Sequence, residues 1–395
     1  MKKIILIAIV LVFLFFTFMI IGAKATENDN ASNIDEIRAV YFSYIEFNSY
    51  IKGKKSEESK NNIKNILDNI KNMNLNTIIV HVRPFSDSIY KSKYYPISDT
   101  ILNNNNEVPD YDVLDFFITE AHSRNLKIEA WINPFRISND TKLDNISVDS
   151  IYYKFINSSD AMIINDKGIY LNPASVEVRS LIIDGIKEIV ANYDIDGIHF
   201  DDYFYPNESI DLKSYDEYIK NGGTMSLNEY RLNNISILIK DTYSSIKNIK
   251  PDVKFGIAPE GNIENNYDKS FLDINKILSN EGYIDYIMPQ LYFGFENETK
   301  PFIDTINIWN SLIEVDSIDL IPALAFYKIG TVDTYALSGK NEWIENSDII
   351  KKQIVISRNV SNYDGFSLFR YDYIFNKDKL NENIEKEIMG LKEVL

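Results

Sequence analysis

Eight short apolar runs, at residues 38–46, 77–83, 127–133, 197–202, 254–260, 285–292, 320–327 and 365–372, alternate along this chain with stretches whose apolar residues step by three and four. That alternation leaves few folds open. Continuous apolar runs are the mark of strands buried on both faces, and a helix between each pair is the crossover that parallel pairing needs. The helical steps are explicit in Ile63, Ile66, Leu67 and Ile70, in Val113, Leu114, Phe117, Ile118 and Ala121, and in Leu181, Ile182, Gly185, Ile186 and Ile189. Ser226 and Glu229 have the spacing of a capping box ahead of Ile235, Leu238 and Ile239. Eight strand–helix units predict an α/β fold of the (β/α)8 or TIM-barrel type, a single domain. An open doubly wound sheet is the alternative, and it would be expected to carry a Gly-rich nucleotide loop; neither Gly-x-Gly-x-x-Gly nor Gly-x4-Gly-Lys-Ser/Thr occurs. Two connections, 137–171 and 204–225, exceed the usual few residues and follow strand C-termini, so they are expected to wall a groove on the catalytic face.

The chain begins Met1-Lys2-Lys3, runs apolar over residues 4–23, and reaches Ala23-Lys24-Ala25. That order reads as an export signal over 1–25 with a small-x-small cleavage site, and the run is also long enough to serve as an uncleaved membrane anchor. Residues 26–36 are polar and read as a linker; the folded domain is expected over 37–395. An exported chain on the extracellular or envelope side follows. The formal charge of −17 becomes more negative by three when Lys2, Lys3 and Lys24 leave with the signal, which argues against nucleic acid as a partner. With no Cys among its 395 residues the chain is neither disulfide-stapled nor a thiolate metal site, and no motif calls for a metal or cofactor.

The fourth run carries the most chemistry. Asp196-Gly-Ile-His-Phe-Asp201-Asp202-Tyr-Phe-Tyr-Pro206 reads as a strand that ends in two carboxylates and three aromatic rings. Side chains alternate along a strand, so His199, Asp201 and Tyr203 share one face and Phe200 and Asp202 the other. In barrels of this kind chemistry sits at the strands' C-terminal ends. There the sequence places Glu46, His81 and Arg83, Trp131, Asn133 and Arg136, Asp201 to Tyr203, Glu260, Gln290 and Tyr292, Tyr327, and Arg370 with Asp372. Acids for a glycosidic bond, amides and guanidiniums for hydroxyls, and rings for stacking make a carbohydrate site. Asp201, Glu260 and Asp202 are the candidate catalytic acids; Arg83, Asn133, Arg136, Tyr203, Gln290, Tyr292 and Tyr327 are candidates for substrate binding. Glu46 also reads as a buried partner of an arginine, Trp131 as core, and His199 as a group inside the barrel bonded below Asp201.

The segments Arg38-Ala-Val-Tyr, Ile79-Val-His-Val-Arg83-Pro, Tyr90-x4-Tyr95-Pro, Ala130-Trp-Ile-Asn-Pro-Phe-Arg136, Tyr170-Leu-Asn-Pro173, Asp196 to Pro206 and Asp285-Tyr-Ile-Met-Pro-Gln-Leu-Tyr292 occur in that order. Together they resemble the glycosyl hydrolase-like 10 family over about residues 37–372. The resemblance implies a barrel glycosidase of the bacterial envelope, with members that cut peptidoglycan glycan strands stripped of their peptides. This chain departs from the family in lacking the lipobox Cys of some envelope relatives and in having Glu129 where His precedes Ala130-Trp131. Residues 196–203 also resemble the Asp-Gly-x-Asp-x-Asp-x-Glu strand of chitinase-type barrels, with His199 and Tyr203 in place of the first alternate Asp and the terminal Glu.

The chain is thus expected to be an exported glycoside hydrolase acting on a cell-wall polysaccharide that contains N-acetylhexosamines. One carboxylic acid of raised pKa would protonate the leaving oxygen. A second would attack the anomeric carbon, activate water, or orient the substrate's acetamido group. A hydrolase of another polysaccharide such as a glucan, and a wall-binding barrel without activity, are the alternatives.

Overall fold

The alternation of residues along each strand decides the architecture. In the computed structural model, which describes residues 36–142, 147–158, 160–206 and 208–395, eight strand positions run parallel. They are β1 (Ile37–Phe42), β2 (Thr77–Arg83), β3 (Lys127–Ile132), β4 (Gly197–Phe200), β5 (Lys254–Ile257), β6 (Tyr286–Ile287), β7 and β8 (Gly365–Leu368). β7 comes in two halves, Asp319–Leu320 and Ala323–Leu324, because Pro322 between them has no N–H for the ladder. The first half pairs with β6 and the second with β8, while β8 also pairs with β1 through Ile37 and Gly365. Across the break the Ile321 and Ala323 amides donate to Ile287 and Pro289 carbonyls at 2.9 and 3.0 Å, and Ser367 N–H donates to Pro322 O at 3.0 Å. The ring of hydrogen bonds closes there, leaving the barrel sheet no edge to protect. The signal at 1–25 and nearly all of the linker at 26–36 lie outside the described residues.

Strand residues of one parity point outward to the helices: Val40 and Phe42, Ile78 and Val80, Ile128 and Ala130, Ile198 and Phe200, all fully buried. Those of the other parity fill the barrel interior, where Ala39, Tyr41, Ile79, Trp131, Tyr286, Met288 and Ile321 form a second, smaller apolar cluster. Gly256 on β5 makes room for the Tyr286 ring, since a Cβ there would come within 2.0 Å of it. The predicted capping box closes the start of helix Leu227–Ile249, with Ser226 Oγ accepting from Glu229 N–H and the Glu229 carboxylate accepting from Ser226 N–H.

Several runs end sooner than their apolarity suggests. β1 stops at Phe42, because Ser43 caps helix Tyr44–Tyr50 and draws Glu46 into that helix. β8 stops at Leu368, and Asp372 belongs to helix Tyr371–Phe375.

Both long connections carry structure of their own. In the first, Arg136–Ser138, Gly168–Leu171 and Met162–Asn165 make a three-stranded antiparallel ribbon. In the second, helix Leu212–Lys220 packs back on it: Asn172 Nδ2 donates to Ser214 Oγ at 3.0 Å, and Ser214 O–H donates to Asp160 at 2.5 Å. Asp211, fully buried, is held by Arg231 Nε and Nη2, each at 3.0 Å, and by the Tyr205 hydroxyl, which ties Tyr205 and Asp211 to helix Leu227–Ile249.

Candidate active site

Beyond Phe200 the chain leaves β4, and both following carboxyls turn into a cavity of about 290 Å³ at the barrel mouth. The abrupt end matters. Strict alternation puts Asp202 on the outer face, whereas the bend after Phe200 lets Asp201 and Asp202 line the same space. Asp201 is 5 % exposed. Its Oδ2 accepts from Trp131 Nε1 and Asn133 Nδ2, both at 3.1 Å, and its Oδ1 from Tyr203 N–H at 3.2 Å. All three donors are neutral. Burial raises its pKa to about 7, with the Asp202 charge adding to the shift and the Arg136 guanidinium opposing it. Burial raises Asp202 too, against a hydrogen bond from the Gln290 side chain.

The neighbours are set by β3 and the turn after it. Asn133 Oδ1 accepts from Phe135 and Arg136 N–H at 3.3 and 2.9 Å, so one amide both shapes the turn and holds Asp201. Arg136 anchors its Nε on Pro84 O at 3.1 Å and lays its guanidinium over the rings of Phe85 (4.5 Å) and Tyr203 (4.8 Å). Trp131 stacks on His81 with ring centres 3.6 Å apart. Tyr292, Tyr327 and Phe369 also line the cavity, Tyr292 meeting Tyr327 edge-on at 5.6 Å.

Of the residues singled out from the sequence, Asp201, Asp202, Arg136, Tyr203, Gln290, Tyr292 and Tyr327 line this cavity. Asn133 stands behind Asp201 and positions it. Arg83 and Glu260 do not line it. β2 shifts register between His81 and Arg83, which rotates Arg83 out of the barrel onto the Tyr95 ring at 4.2 Å and against Gly185 of helix Val176–Asn192. The Glu260 carboxylate accepts from Asn265 Nδ2 at 2.6 Å, facing helix Ile263–Asp268. Glu46 pairs with Arg370, as its arginine-partner reading has it. His199 is inside the barrel, but its partners are the Tyr41 and Tyr286 hydroxyls, each at 2.9 Å, rather than Asp201. Burial pushes His199 down to about 3 and keeps it neutral.

Sequence reasoning passed over Tyr41 and Tyr44 in the cavity wall, placed His81 and Trp131 at the strand ends without assigning them to substrate, and marked Glu129 only as a departure from the family pattern. Strand parity is the signal that finds most of them. Tyr41, His81, Glu129, Trp131 and His199 all share the inward parity of their strands. Glu129, buried and raised to about 7, accepts from Tyr286 O–H at 2.5 Å. Among the described residues no group of three His, Cys, Asp or Glu stands together to hold a metal ion.

Comparison with known proteins places the chain in a family. The chain is 31% identical over 390 residues to glycosyl hydrolase YngK of Bacillus subtilis, spanning 93% of this chain and 72% of that one. It is 30% identical over 342 residues to glycosyl hydrolase DigH of Escherichia coli K12, spanning 80% and 76%. Among solved structures, the glycoside hydrolase domain of PgaB (BpsB) from Bordetella bronchiseptica shares the fold, with a TM-score of 0.59 at 11% identity, covering 91% of this chain and 98% of that domain. The family model described as glycosyl hydrolase-like 10 matches residues 36–343, and the chain belongs to that family.

Proposed function

We infer that this glycoside hydrolase acts outside the cytoplasm on cell-wall glycan strands that contain N-acetylhexosamines, with peptidoglycan strands stripped of their peptides as substrate. Asp201 carries the reading. It is a carboxyl on an aromatic-walled cavity that keeps its proton up to about pH 7, held by neutral donors only. A glycosidic oxygen needs such a group in order to leave. Asp201 gives its proton to the leaving oxygen and recovers one from the water that completes hydrolysis. Asp202, beside it and hydrogen-bonded by Gln290, is the carboxylate partner that meets the positive charge developing at the anomeric carbon. Tyr203, Tyr292 and Tyr327 offer ring faces to a pyranose, and Arg136 offers donors to its polar groups.

A second cavity of about 390 Å³ lies on the far side of Tyr44, lined by Phe85, Ser86, Asp87 and Asn48 among others. Two cavities that share one aromatic wall support a polymer over a single sugar. The leader at 1–25 and the family resemblance turn the reading toward the wall, with residues 4–23 as the tether if the leader stays. Purified chain incubated with denuded peptidoglycan strands, intact wall and a soluble β-glucan tests it by the new reducing ends formed. Release from denuded strands ahead of the other two is expected; release from the glucan alone removes the wall assignment.

A further inference from the structure

His81 has no place in the chemistry derived so far, yet it lines the same cavity while only 1 % exposed. Its burial is unusual in kind. Neither ring nitrogen has a hydrogen-bond partner among the described residues. Three polar neighbours in the same wall are satisfied: Trp131 Nε1 donates to Asp201, His199 bonds Tyr41 and Tyr286, and Asn133 bonds Asp201 and its own turn. An orphaned buried polar group destabilises the fold, and an apolar side chain would fill the place without that cost.

The ring is also fixed in direction. It stacks on Trp131 at 3.6 Å and 9°, and the Tyr44 ring meets it edge-on at 5.8 Å. Its nitrogens therefore cannot swing away to find other partners. Burial first, then the nearby Arg136 charge and His199, hold it well below the usual histidine range, so the imidazole is neutral. A neutral imidazole has one N–H donor and one bare acceptor. A sugar hydroxyl, which both donates and accepts, can meet whichever ring nitrogen faces it; a carboxylate, which only accepts, can meet only the N–H.

Resting on the carbohydrate reading of this cavity, we propose that His81 is a substrate-contacting, specificity-determining residue that reads a hydroxyl of the sugar seated beside Trp131. Because Trp131 stacks on His81 and donates to Asp201, the indole sets the spacing between the group that reads the sugar and the acid. The contact is made by a neutral ring, so it persists from mildly acidic to alkaline pH.

The test uses the full chain and two variants, H81F and H81N, with denuded peptidoglycan strands as the probe and melting temperature read beside cleavage. H81F keeps a flat ring to stack on Trp131 and loses both nitrogens; it is expected to melt no lower than wild type and to lose about tenfold or more in kcat/KM, chiefly through KM. H81N keeps one donor and one acceptor and should recover part of that loss. The chain has only three histidines, so nitrogen NMR can follow His81 directly, and strand binding should move its ring signals while His122 stays still. Wild-type cleavage beside equal cleavage by H81F overturns the assignment alone, as do ring signals unmoved by bound strands. A wild-type chain that cleaves nothing overturns the substrate reading and this assignment with it.

Discussion

Two buried carboxyls at the barrel mouth, Glu46 and Asp201, are treated oppositely by the protein around them. Glu46 is fully buried and fully met: Arg370 pairs with Oε1, Asp372 N–H reaches the same oxygen at 3.2 Å, and Ser43 N–H and O–H reach Oε2 at 2.9 and 2.5 Å. Asp201 receives only neutral donors, faces a cavity, and is raised to about 7 by burial. A carboxylate closed by a guanidinium is a joint, here between the segments that follow β1 and β8. One left without a bonded cation beside open space is a proton store. Two acids of similar burial can thus have unrelated roles, and the partner's charge tells them apart.

The sharpest way to break this contrast is Asp201→Asn. Turnover of wall glycan should drop by about 10²–10⁴, the usual worth of general acid help, with melting temperature kept or raised. If the variant instead unfolds early and its activity merely tracks folded protein, Asp201 is a second Glu46. Next in size is Glu46→Gln, which leaves Arg370 buried without its counterion. Breaking such a pair costs about 3–5 kcal/mol, readable by chemical denaturation, while the molecules still folded should keep near-normal kcat.

A pH series sharpens the contrast further. Asp201 is protonated below about 7 and loses its proton above, so kcat/KM should fall about tenfold per pH unit on the alkaline side, and Asp201→Asn should lack that limb. The same shift opposes folding. The unfolded carboxyl ionises near its ordinary 3.8 while the folded one stays protonated, so this group erodes stability as pH rises from there to about 7 and no further. The melting-temperature difference between Asp201→Asn and wild type should therefore widen over that window and then level. The smallest effect belongs to Glu260→Gln. Its carboxylate bonds Asn265 and reaches the cavity only through its charge on Asp202, so cleavage should stay within roughly threefold of wild type, far short of a lost general acid. A collapse comparable to Asp201→Asn would return Glu260 to the catalytic pair.

The fold was readable because its signals are local and repeated: apolar runs, helical steps, and the Ser226–Glu229 box each need only near neighbours. Much of the site was readable for a related reason, since residues 131–136 and 201–203 are chemically dense over short spans. Direction was less legible. Arg83 and Glu260 stand at strand ends as expected, but a register shift in β2 lays Arg83 on the Tyr95 ring, and Asn265 in the short helix after β5 bonds the Glu260 carboxylate. The register shift leaves no mark in the residues themselves, because a bulge is decided by how two strands pair.

The sequence by itself determined the (β/α)8 arrangement, the Asp201–Asp202 pair and the aromatic character of the mouth, all of which follow from residue type and spacing. Only the tertiary structure decided which acid keeps its proton. Glu46 and Asp201 begin as similar carboxyls, and what separates them is Arg370, 324 residues along the chain from Glu46, set against Trp131, 70 residues from Asp201. A pKa depends on the charges and water within a few ångströms, and the closing of the barrel is what brings those groups there.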